Sequence, residues 1–92
     1  MKQIELELLE RELEKITKLP YDELKRRVER GEPDLVEVEH SSGEYEIEIQ
    51  YFWDGRSRTD IRLIGSINLK NSLAAFHPRS IDFIIRPDGT II

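Results

Sequence analysis

The chain has 92 residues, 38% of them hydrophobic and 36% charged, with a net charge of −5 at neutral pH. That length supports one domain with one modest core, and the absence of cysteine excludes disulfides, thiolate metal sites and cysteine nucleophiles. A negative chain argues against general nucleic-acid binding, which needs a basic face, and no apolar run approaches the roughly 18 residues of a membrane span. The expectation is a cytoplasmic protein without a nucleic-acid or membrane partner.

The charge is unevenly spread. Residues 1–34 carry 8 basic and 10 acidic groups, residues 35–48 carry 0 and 5, and residues 49–92 carry 6 and 4. The net charge of the whole chain therefore equals that of the single segment Leu35 to Glu48.

Lys2 to Lys18 is built from strong helix formers. On a helical wheel Leu6, Leu9, Leu13, Ile16 and Leu19 share one sector, with Ile4 and Leu8 at its margin. Glu7 with Arg11, and Glu14 with Lys18, stand at the i,i+4 spacing of helix ion pairs. The apolar repeat is too short for a coiled coil, so this helix is expected to pack on its own domain. Pro20 ends it and opens a second helix. There Tyr21, Leu24 and Val28 make a narrow apolar stripe, and Lys25, Arg26, Arg27 and Arg30 read as a solvated basic end. Gly31 is the expected stop, reinforced by Pro33.

Leu35 to His40 is predicted as a short strand. Glu44 to Trp53 carries the cleanest periodicity in the chain: Tyr45, Ile47, Ile49, Tyr51 and Trp53 alternate with Glu44, Glu46, Glu48, Gln50 and Phe52, the mark of a half-buried strand. If Ser42-Gly43 forms a two-residue hairpin loop, His40 faces Tyr45, Glu39 faces Glu46 and Glu37 faces Glu48. Four carboxylates, of Glu37, Glu39, Glu46 and Glu48, then share one sheet face. A slip by two residues would keep the faces matched and the acids clustered. Asp54-Gly55 marks a turn. Thr59 to Leu69 is the next strand, with Gly65 inside its apolar row, a sign of a bulge or of something packing close. Arg62 falls on the same face as the carboxylates, near Gln50 or Glu48.

Residues 70–80 carry no clear pattern, although Leu73 and Phe76 are expected in the core and His77-Pro78 in an extended or turn conformation. Ile81 to Arg86 is a strand, Pro87-Asp88-Gly89 a turn, and Thr90 to Ile92 a returning edge strand. The fold expected is α+β, with two N-terminal helices packed on one face of a four- to five-stranded antiparallel β-meander. Residues 1–92 form one domain, helical over residues 1–31 and β-stranded over residues 35–92.

The segments Phe52-Trp53-Asp54, Ile61-Arg62-Leu63-Ile64-Gly65-Ser66-Ile67, Ala75-Phe76-His77-Pro78, Asp82-Phe83-Ile84-Ile85 and Pro87-Asp88-Gly89 resemble, in this order, a pattern in small uncharacterised bacterial proteins with a helical N-terminus. The resemblance spans Tyr45 to Ile92 and rests mostly on structural residues. It implies a β-rich 73–92 and carries no activity with it.

No pattern of catalysis is present. His40 and His77 lie in different elements, no serine sits in a G-x-S-x-G elbow, and the glycines form no phosphate loop. Strand carboxylates seldom converge on a hard cation. No metal, cofactor or catalytic residue is therefore expected, and the chain is expected not to be an enzyme. What remains is binding. An open acidic face speeds association with a basic protein, as in small acidic inhibitor or immunity proteins. The expected contact residues are Glu37, Glu39, Glu46 and Glu48, with Phe52 as apolar anchor and Arg62 beside it. Two alternatives stand against this. The acids could be a solvated face paired to Arg62 and Arg58, or Phe52, Ile64, Ile91 and Ile92 could form a self-association surface. Monomer and homodimer both remain open.

Overall fold

A computed structural model of the chain describes residues 4–70 and 79–92. Two helices, α1 (Ile4–Thr17) and α2 (Tyr21–Arg30), precede four strands: β1 (Asp34–His40), β2 (Gly43–Asp54), β3 (Asp60–Leu69) and β4 (Arg79–Ile85). The strands form one antiparallel sheet in the order β1-β2-β3-β4. The architecture is α+β with an antiparallel sheet, as the alternation of polar and apolar residues predicts. The end of the chain returns along β4, but Ile91 makes only an isolated bridge to Ile85. The expectations for Leu73, Phe76 and His77-Pro78 lie outside the described residues.

The core is the odd-numbered row of the sheet. Tyr45, Ile47, Ile49 and Tyr51 of β2 and Ile61, Leu63 and Ile67 of β3 are buried in one cluster with Leu8, Leu9, Leu13 and Ile16 of α1 and Leu24 of α2. Leu8, expected at the margin of the apolar sector, is buried, and Leu6 is half-buried, so α1 is turned slightly from the wheel's prediction. Its ion pair joins Lys15 to Glu12 at 2.9 Å rather than Glu7 to Arg11 or Glu14 to Lys18.

Gly65 explains how α1 approaches the sheet. It pairs in unbroken register with Ile49 and Ile81, so there is no bulge. A Cβ at this position would stand 3.0 Å from Leu13 Cδ2 and 3.1 Å from Leu9 Cδ1. The missing side chain is the space α1 occupies.

Helix α2 ends as its sequence predicts. Gly31 takes the left-handed conformation, φ 78°, and its N–H donates to the Val28 carbonyl. At the other end the Tyr21 hydroxyl donates to the Thr59 carbonyl, tying α2 to the segment that begins β3.

The hairpin register differs from the expected one by two residues. Ser41 and Ser42 form the turn and His40 pairs with Gly43, not with Tyr45. Neither serine has a positive φ, whereas Gly43 has φ 147°. A Cβ on Gly43 would lie 2.8 Å from Leu69 Cδ1. The glycine is needed at the first position of β2, where Leu69 crosses it, rather than inside the turn. Side chains complete the turn: the Ser42 N–H donates to His40 Nδ1 at 3.1 Å, and Ser42 Oγ and the Tyr45 hydroxyl lie 2.7 Å apart.

Candidate functional site: the open sheet face

The even-numbered residues of β2 and β3 make the second face of the sheet. The register fixes its layout row by row. Glu39, Glu44 and Lys70 lie side by side at the hairpin end; Glu37, Glu46 and Asn68 form the next row; Leu35, Glu48, Ser66 and Ser80 follow. Beyond them come Gln50, Ile64 and Asp82, then Phe52, Arg62 and Ile84.

The two-residue slip thus re-pairs the acids without dispersing them. Glu37 faces Glu46 and Glu39 faces Glu44, in place of the expected Glu39–Glu46 and Glu37–Glu48. His40 pairs with Gly43 across two turn residues and Lys70 N–H donates to Glu44 O at 2.8 Å. These contacts set the hydrogen-bonding parity, and they make both acid pairs non-hydrogen-bonded ones, whose side chains approach more closely. Like charges directly opposed in this way are destabilising.

The compensating charge comes from Lys70, a residue whose role is not evident from the sequence pattern of the hairpin. Lys70 Nζ donates to Glu37 at 3.1 Å. Its bond to Glu37 raises its pKa most, followed by the Glu37 charge and, after a small opposing effect of desolvation, the charges of Glu44 and Glu46. The ammonium is bonded to Glu37 and feels the charges of Glu44 and Glu46. Glu44 also belongs to the acidic corner, because it has the parity of Glu46 and Glu48. Carrying the alternation of β3 one step past Leu69 would have placed Lys70 on this face too, as the next even residue after Asn68.

Arg62 does not serve these acids. It stands opposite Phe52, contacts Asp54 at 3.0 Å and donates to Asp82 at 2.8 Å. Its bond to Asp54 is the main cause that raises its pKa. Arg58 lies exposed in the turn before β3 with φ 57°. Phe52 is 44% exposed. It lies four residues beyond Glu48 on the same face, about 13 Å along the strand. The face thus divides into an acidic corner and a region where Phe52 stands beside an Arg62–carboxylate cluster.

A second polar cluster joins α2 to the sheet. Arg27 donates to Glu23 at 2.9 Å, to Asp34 at 2.8 Å and to the Tyr51 hydroxyl at 2.9 Å, and its guanidinium lies 5.7 Å from the centre of the Tyr51 ring. The Tyr51 hydroxyl donates to Asp34, and Arg30 reaches the other Asp34 oxygen at 2.9 Å. Burial opposes the charge on Asp34, but the bonds from Tyr51 and Arg30 and the charges of both arginines outweigh it and hold its pKa below the usual carboxylate range. Tyr51 is pushed up to about 12 by burial and by its bond to Asp34. Arg27 and Arg30 are thus structural rather than a solvated basic end. With every partner satisfied, the cluster reads as a clamp.

Among the described residues no group of His, Asp and Glu is arranged to hold a metal ion, and no helix is long and apolar enough to cross a membrane. The hollow at the acidic corner, lined by Glu37, Glu39, Glu44 and Lys70, encloses only about 50 Å³. That is too little for a substrate pocket. Comparison of the chain with protein-family models, with curated proteins and with solved structures finds no match.

Proposed function

We propose that the chain is a small protein-binding module whose acidic sheet corner receives a basic partner. The observation that carries this reading is the pair of directly opposed contacts, Glu37 with Glu46 and Glu39 with Glu44, with Lys70 the cation bonded there. A face that keeps opposed carboxylates sacrifices some stability, and a basic surface laid across it would relieve the repulsion. The same charges draw such a partner in and reject acidic ones. Phe52, exposed on the same face, adds an apolar contact beyond the charged rows.

Affinity capture tests this with wild type beside a variant in which Glu37, Glu39, Glu46 and Glu48 are all changed to Gln. The expected result is a partner held by wild type at low salt, released at high salt, and not held by the variant. A partner held equally by both proteins would overturn the reading. A second reading, self-association through apolar surface, has support in the exposure of Leu35, Ile91 and Ile92; it predicts a dimer that salt does not dissolve.

A further inference from the structure

The strands on either side of β2 are unequal. Pairing with β3 continues to Asp54, but pairing with β1 stops where Asp34 meets Ile49. Among the described residues, the edge of β2 nearest β1 therefore has no strand beside it from Gln50 to Asp54. The parity set by His40–Gly43 and by Lys70–Glu44 turns the backbone N–H and C=O of Tyr51 and Trp53 toward that edge. Among the described residues, no turn or loop backbone group bonds to them. Beside the edge runs a groove of about 250 Å³, lined by Val28 and residues 31–33 on one side and by Gln50, Tyr51, Phe52 and Trp53 of β2 on the other.

We infer that this edge accepts an extended basic peptide as an added strand, collinear with β1, with an apolar residue opposite Trp53 and lysine or arginine on either side. The unpartnered N–H and C=O groups call for an extended backbone, which a helix or a small molecule does not supply. Register fixes the rest. A residue opposite Trp53 shares its side of the sheet and meets Val28 and Trp53 in the groove. Its neighbours emerge on the open face beside Phe52, where a cation meets an aromatic ring, next to Asp54, which is already bonded to Arg62. Glu32, exposed at the groove, favours the same charge. The inference deepens the proposed function and rests on it for the sign of the partner's charge.

The test uses the intact protein and a defined probe, acetyl-Lys-Val-Lys-Val-Lys-amide. Binding is followed by the fluorescence of Trp53, the single tryptophan, and by the backbone amide resonances of Tyr51 and Trp53. Two further probes carry N-methyl groups, one on both valine nitrogens, which would face β2, the other on the central lysine nitrogen, which would face away. The expected result is that valine methylation weakens binding about tenfold or more, as loss of backbone hydrogen bonds requires, while lysine methylation weakens it far less. Equal binding of both methylated probes, with shifts confined to Glu37–Glu48, would overturn strand addition and leave the charge-guided reading standing. No binding at millimolar probe would also overturn it. Valine-dependent binding that is unchanged in the four-glutamine variant would uphold the strand site and count against the acidic corner.

Discussion

Gly65 lies directly under Leu13: a Cβ on the glycine would stand 3.0 Å from Leu13 Cδ2. Leu9 and Leu13 are 0% and 4% exposed and belong to the buried core cluster, so a larger residue at 65 must displace core side chains. Gly65→Val is expected to cost about 1–3 kcal/mol by overpacking the α1–sheet contact. Urea denaturation measures it, and a variant as stable as wild type would show that α1 does not press on this strand.

Asp34 is bonded by Arg27, Arg30 and Tyr51 at once. Asp34→Ala leaves those donors without their shared acceptor and is expected to cost about 1–3 kcal/mol near neutral pH. The sign of the pH dependence follows from its lowered pKa. The contribution is present above the unfolded value of about 3.9 and is lost as pH falls through the folded value below it. Stability measured from about pH 5 downward should therefore fall more steeply in wild type than in Asp34→Ala. Parallel curves would contradict the assignment.

Burial and the bond to Asp34 push the Tyr51 hydroxyl up to about 12, from the ordinary tyrosine value of about 10. Here the folded pKa is raised, so the stabilisation is complete below about pH 10 and disappears as pH rises through about 12. Ultraviolet titration of the folded protein should show a late phenolate step that Tyr51→Phe removes. If the late step persists in that variant, the clamp on Asp34 is not its cause.

Lys70 bonds Glu37 and lies within reach of the charges of Glu44 and Glu46. Lys70→Gln should barely move the thermal midpoint, since an exposed ion pair contributes little. It should quicken association with a basic partner, because the corner loses the cation bonded within it. Stopped-flow association at low salt measures this; a slower rate would mean that Lys70 itself belongs to the contact.

The parity of Glu44–Trp53 made the two faces of the sheet legible from the residues alone, as did Gly31 the end of α2, while Gly65 left a bulge and a close packing partner both open. The hairpin register was not legible, because a shift of two residues preserves every inside–outside assignment and Ser41-Ser42-Gly43 offers two turns. In the structure Gly43 lies against the side chain of Leu69, twenty-six residues on, a contact no local pattern shows. Arg27 was hidden for a similar reason: its partners Asp34 and Tyr51 come from two strands, β1 and β2, while its local surroundings look like a charged helix end. Arg62 fell on the face predicted for it, but Asp54 and Asp82, not the glutamates, hold it.

Guidance of a basic partner to this face by Glu37, Glu39, Glu46 and Glu48 is tested most directly by the Kd of the captured partner against rising salt, for wild type and for the variant with all four changed to Gln. Wild type is expected to weaken about tenfold or more from low to high salt, while the variant binds weakly at low salt and changes little. A Kd that ignores salt, or that is the same in both proteins, would contradict a charge-guided contact.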